Sequence, residues 1–123
     1  MILVDTSVWV DHLRNGDPQL ASHLEGGRVF THPFVIGELA LGSLRQRDQV
    51  LGAMRALPLA LVATDDEVQM FIERQPLYNL GIGYVDAHLL ASVRLTPGLR
   101  LWTRDRRLHT VALQLNIAAL PDH

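Results

Sequence analysis

The reading of the fold turns on "MILVDTSVWV", residues 1–10. Its apolar start, through Val4, has the length and composition of a short buried strand. Asp5 interrupts that run, and "SVWVDHLR" (7–14) resumes as a helix turned out of it. A strand that ends on a carboxylate and passes directly into a helix opens a strand–helix unit. One such acid means little alone. It matters if other segments send acids to the same edge.

Working outward, strand-like and helix-like periods alternate. Asp17 in "NGDPQLASHLEGG" (15–27) is an N-cap with Pro18 at the first helical position, and the glycine pair ends the helix. "RVFTH" (28–32) reads as a second strand, and "PFVIGELALGSL" (33–44) and "RDQVLGAMRAL" (47–57) as helices. "LALVA" (59–63) has the composition of another strand. "TDDEVQMFIERQ" (64–75) starts on a Thr64–Glu67 capping box. After the glycine-bearing loop "YNLGIGY" (78–84) come a helix, "VDAHLLASVRL" (85–95), and a strand, "LRLWT" (99–103). The helix "DRRLHTVALQLN" (105–116) places Leu108, Val111, Ala112 and Leu115 on one face, and "IAAL" closes the pattern. This alternation predicts a parallel sheet covered by helices.

Composition narrows the classes. The 123 residues make one domain, 1–123, with 48% hydrophobic content and no span long enough for a bilayer. No basic leader opens the chain, so the cytoplasm is the expected location. The absence of cysteine excludes disulfides, a thiolate nucleophile and thiolate-bound zinc. All 11 basic residues are arginine, so no lysine-dependent mechanism is available.

Most of the 13 acids have local explanations as helix starts or solvated positions. Asp5, Glu38, Asp86 and Asp105 remain. Glu38 has Phe34, Val35, Leu41 and Gly42 as helical neighbours, and Asp86 has Leu89, Leu90 and Val93. A carboxylate on a buried face needs a partner, a proton or a cation. Asp5 and Asp105 follow strands, at the carboxyl edge where open parallel sheets bind ligands. Each has a structural alternative: helix capping for Asp5 and Asp105, an arginine partner for Glu38, the helix dipole for Asp86. Four separate structural explanations carry less weight together than one shared site.

"VDTSVW", the acid in "GELALG", "GYVDAHLLAS" and "LWTRDRRL", in this order and spacing, resemble the PIN domain, and within it the VapC-type toxins of bacterial toxin–antitoxin pairs. The resemblance covers nearly the whole chain. It implies a PIN-like three-layer α/β fold with a central parallel sheet of four to five short strands flanked by helices. It also implies an endoribonuclease dependent on Mg²⁺ or Mn²⁺ that commonly forms a homodimer and is held inactive by a cognate antitoxin. Asp5, Glu38, Asp86 and Asp105 match the family's acidic set, Thr103 its hydroxyl before the last acid, and Thr6 or Ser7 its polar residues after the first. The antitoxin's tail is expected along the helices, with Val8, Trp9 and Leu13 as candidate contacts or as core.

The chemistry of the residues agrees. Oxygen donors with no histidine or cysteine at ligand spacing suit a hard divalent ion. His88 reads as structural or exposed. Asp5, Asp86 and Asp105 are candidate ligands, directly or through waters, and Glu38 a ligand or the group orienting the attacking water. Thr6, Ser7 and Thr103 position a ligand or phosphate, or cap helices. Without the four acids the chain carries 9 acidic against 11 basic residues, a net +2 that permits RNA binding. Arg104, Arg106 and Arg107 flank Asp105 as backbone-phosphate candidates or solvated helix ends, and Arg45 and Arg47 form a second pair. Three rivals remain. A phosphotransfer receiver needs a lysine this chain lacks, and an Asp-x-Asp phosphatase meets Ser7 at its second acid. A non-catalytic PIN-like protein-binding module is opposed by the intact acidic set.

Overall fold

The computed structural model describes residues 1–120; the last three residues of the 1–123 unit lie outside the described residues. The elements run β1 (Ile2–Val4), α1 (Thr6–Asn15), α2 (Pro18–Glu25), β2 (Val29–Phe30) and α3 (Pro33–Leu41). They continue with α4 (Arg47–Arg55), α5 (Asp65–Arg74), α6 (Tyr84–Leu95), β3 (Arg100–Trp102) and α7 (Arg106–Gln114).

β1 lies in the middle of the sheet, in the order β2-β1-β3, and both pairings are parallel. Ile2 pairs with Val29 and Arg100, and Leu3 with Phe30 and Leu101. Leu3, Val4 and Leu101 are fully buried, as strands covered on both faces require. Because the strands run the same way, their carboxyl ends share one edge. The chain leaves β1 toward β2 on one side and returns to β3 on the other. That reversal opens a crevice at the end of β1.

The sheet is shorter than the four to five strands expected. "LALVA" and "IAAL" contribute only isolated parallel bridges, Thr31 with Leu59 and Leu101 with Ala118. Each is held by two backbone hydrogen bonds: Thr31 N to Pro58 O and Ala60 N to Thr31 O, then Leu101 N to Ile117 O and Ala119 N to Leu101 O. The first segment leaves the sheet at once, because the backbone N–H of Leu61 bonds to the Thr96 hydroxyl instead of to a neighbouring strand. Its apolar side chains do not hold it either: Leu59, Leu61 and Val62 are all about half exposed.

The helices follow their sequence signals. The Asp17 side chain accepts from Leu20 N, Pro18 opens α2, and both halves of the Thr64–Glu67 capping box are formed. Leu108, Val111 and Ala112 face the core from α7, with Leu115 packed at its margin. α6 is buried continuously from Ala87 to Val93, so it serves as a core helix open only at its first turn and at Arg94 and Leu95. Val8 and Trp9 are core residues, which removes them as partner contacts, while Leu13 stays exposed. His88 is buried at the start of α6, its Nε2 bonded to Asp65 and its ring edge-on to Phe34 and Tyr84.

Candidate functional site

The carboxyl edge of the sheet organises the site. The Asp5 backbone N–H bonds to Trp102 O, extending the β1–β3 ladder by one residue and fixing the start of the Asp5 side chain. Asp5 occupies the N-cap position of α1 but makes no capping bond. Its Oδ2 instead accepts from the hydroxyls of Ser7 (2.7 Å) and Thr103 (2.8 Å), and the side chain is buried to 7% exposure. The capping explanation for Asp5 therefore fails. The Asp5 carboxylate is thus clamped by a residue 98 positions along the chain and not spent on the adjacent helix.

Asp105, two residues past Thr103, does cap: its Oδ1 accepts from Leu108 N at the start of α7. Asp86 sits in the first turn of α6 and reaches back with Oδ2 to Gly83 N at 3.0 Å. Glu38, on α3, accepts from the Thr6 hydroxyl through Oε1 at 2.8 Å. Glu38 is exposed, contrary to the buried face its neighbours suggested. The reason is that α3 is apolar nearly all round: Val35 and Leu39 face the core, whereas Leu41 is 90% exposed.

Each of these four carboxylates thus has one oxygen held by a hydrogen bond and a second with no hydrogen-bond partner among the described residues. The ion pairs found among the described residues join His88 to Asp65 and Arg104 to Asp11 and Asp17, so none neutralises the four. The pKa of Asp86 is pushed up, first by burial and then by the charges of Asp5, Asp105 and Glu38, against the lowering effect of the Gly83 N–H. Asp86 therefore lies within electrostatic reach of the other three acids. Among the described residues, no three carboxylates or imidazoles are grouped closely enough to hold a metal ion by themselves.

The hydroxyls and arginines divide by role. Ser7 also accepts from Arg104 N, and Thr103 from Asp105 N, so these two residues tie β1, β3 and the start of α7 together. The Arg104 guanidinium bridges Asp11 of α1 and the capping residue Asp17. Arg107 lies across Gly81, which has φ +78; a Cβ there would come within 2.8 Å of the Arg107 side chain. Arg106 is exposed at the head of α7.

Two cavities flank the acids. On the Glu38 side, a groove of about 810 Å³ between α1, α3 and α4 contains Thr6, Val10, Leu13, Arg14, Leu44 and Arg45. On the Thr103 side, a pocket of about 230 Å³ has Gln19, His23, Trp102, Arg106 and His109 in its wall. Sequence reading did not find that pocket. His109 stands four residues after Asp105 on α7, a spacing that was legible; Gln19 and His23 on α2 carry no signal that links them to β3.

A PIN domain family model matches residues 2–113. Ribonuclease VapC32 of Mycobacterium tuberculosis is 49% identical over 118 residues, covering 96% of this chain and 95% of the relative, in strain CDC 1551 / Oshkosh and equally in strain ATCC 25618 / H37Rv. With that match across nearly all of both chains, and the acids at one edge of a parallel sheet, this chain belongs to the PIN domain family and to its VapC type.

Proposed function

We propose that this protein is a cytoplasmic, metal-dependent endoribonuclease that hydrolyses RNA phosphodiester bonds as the toxin of a type II toxin–antitoxin pair. The observation that carries the reading is the set of four carboxylates, each with one oxygen fixed and one open, with no arginine spent on them. The relatives named as ribonucleases support the same activity.

The donor chemistry fits Mg²⁺ or Mn²⁺. Magnesium keeps several waters and takes one or two carboxylates with substrate phosphates, so it needs no ready-made protein cage of three donors. Asp5, Asp86 and Asp105 would hold the ion, directly or through water, and Glu38 would be a further ligand or the group that orients the attacking water. When bound, such an ion polarises a phosphate oxygen, lowers the pKa of a water and stabilises the leaving oxygen.

The remaining work falls to the chain. Ser7 and Thr103 hold the Asp5 carboxylate in one rotamer, Thr6 orients Glu38, and the Gly83 and Leu108 amides fix Asp86 and Asp105. Positioning of this kind keeps the open oxygens pointed where substrate arrives without reorganisation during reaction. Arg106 and Arg107 at the head of α7 attract the RNA backbone.

The groove on the Glu38 side suits the antitoxin. It carries apolar Val10, Leu13, Leu44 and Val50 and includes Thr6 and Glu38, so a peptide lying along it reaches the Glu38 side of the acids. The active assembly is a homodimer, testable by sedimentation. The activity is tested by incubating the purified protein with a panel of single-stranded and structured RNAs in Mg²⁺, Mn²⁺ or EDTA. Cleavage that EDTA abolishes supports the reading. No cleavage across the panel, with tight antitoxin binding retained, makes the chain a protein-binding module.

A further inference from the structure

The pocket on the Thr103 side is separate from the groove that includes Glu38. It lies between α2, β3 and α7, and Thr103 is the wall it shares with Asp5: one face of that residue lines the pocket while its hydroxyl holds the Asp5 carboxylate. Among the described residues, the polar side chains lining it are Gln19, His23, Thr103, Arg104, Arg106 and His109, none of them acidic. Arg106 and His109 have no side-chain partner among the described residues. Asp17, two residues before Gln19, is already engaged by Leu20 N and Arg104. Trp102 supplies a half-buried aromatic surface, with His23 edge-on to it and Arg28 bonded behind His23. At about 230 Å³ the space falls below the usual range for drug-sized ligands and is on the scale of a single nucleotide.

We propose that this pocket is a subsite for the nucleotide next to the cleaved bond of a single-stranded RNA. Arg106 and His109 take a backbone phosphate, and the base lies against Trp102. Cationic side chains that track the backbone beside an aromatic platform are the working parts of single-strand recognition. The shared wall sets the register: a phosphate held at Arg106 leaves the next one over the Asp5 edge. The pocket also separates two neighbours in sequence, since Arg106 lines it while Arg107 is laid over Gly81. The proposal rests on the ribonuclease reading.

The test uses the wild-type chain, the Arg106→Gln/His109→Gln double variant, and Arg94→Gln, an exposed arginine at the end of α6 outside this pocket, as a charge control. A labelled single-stranded oligoribonucleotide is titrated in EDTA, where cleavage is off, over a series of salt concentrations. The double variant is expected to bind about tenfold more weakly, with a salt slope shallower by about one, while Arg94→Gln tracks the wild type. In Mn²⁺ its KM for RNA rises more than its kcat falls. Equal affinity in wild type and double variant, an equal loss in Arg94→Gln, or no binding by the wild type overturns the subsite. If the variant loses affinity while the wild type cleaves no RNA, the pocket stands as an RNA-binding site with no cleaved bond beside it, and the nuclease reading falls. If the wild type cleaves and the variant matches it, the reverse holds.

Discussion

Thr103, the residue that follows β3, donates its hydroxyl to Oδ2 of Asp5 at 2.8 Å, and the Ser7 hydroxyl donates to the same oxygen at 2.7 Å. A hydrogen bond to a charged group contributes about 1.5–3 kcal/mol. Thr103→Val, nearly the same shape without the donor, should therefore lower the melting temperature and reduce cleavage, because Asp5 loses one of its two clamps. Thermal melts and cleavage rates measured together check this. Full activity in the variant would show that the clamp does not position Asp5.

Asp5→Asn keeps an oxygen to accept these hydroxyls and removes the charge. Cleavage should fall at least about 100-fold, the scale seen when one electrostatic element of an active site is removed. The metal-free melting temperature should stay level or rise. A large drop without metal would mark Asp5 as a structural residue.

Asp86 is the acid most burdened by its surroundings, through burial and through Asp5, Asp105 and Glu38. Asp86→Asn retains an acceptor for the Gly83 amide and relieves that repulsion, so it should melt higher than wild type without metal. Mn²⁺ at about 100 times its dissociation constant adds roughly 2.7 kcal/mol to a protein that binds it only when folded. The Mn²⁺-induced rise in melting temperature should be smaller in Asp86→Asn than in wild type. Equal shifts in both would locate the ion elsewhere.

His32 gives a pH prediction independent of the acids. It is fully buried, its Nδ1 accepts from Phe34 N, and its Nε2 has no partner. Burial, and then the neighbouring His88, lower its pKa to about 4 from 6.5. Between those values the unfolded chain binds a proton that the folded chain refuses, so stability falls as pH falls below about 6.5, the loss reaching on the order of 2–3 kcal/mol near pH 4.5. His32→Asn, which retains a cap acceptor and does not titrate, should flatten denaturation midpoints measured across this range. A slope equal to wild type would assign the acid sensitivity to other groups.

Arg104 separates structure from substrate binding. Its guanidinium joins Asp11 to Asp17 with the side chain 44% exposed, so Arg104→Gln should destabilise by only about 0.2–1 kcal/mol. Its KM for RNA should rise less than that of Arg106→Gln. The opposite order in steady-state kinetics would give Arg104 the larger share of the phosphate contact.

Where one residue answered to one local rule, the sequence was a sufficient guide. The Asp17 cap, the Thr64–Glu67 box and the apolar face of α7 all follow from neighbours within a few positions. The acids were legible as a set, but their environments were not. Periodicity put Glu38 on a buried face because it counts apolar neighbours and cannot tell which side of an all-apolar helix meets the core. Asp105 caps its helix and Asp86 its own first turn, each with a second oxygen that has no hydrogen-bond partner among the described residues. A short motif cannot reveal that one carboxylate does both. The two outer sheet segments were over-read, since apolar composition does not show whether a backbone remains in register after one bridge.

Gly81 stands five residues before Asp86, on one of the segments that deliver the acids, and meets the other through the Arg107 side chain. Its bare backbone, at φ +78, lets Arg107 lie flat and so hooks the approach to α6 onto the head of α7. Any side chain there would meet backbone strain and displace the Arg107 side chain from this position. A protein altered only at Gly81 would then be well folded and poorly aimed, its defect inherited through a void and not through a lost group.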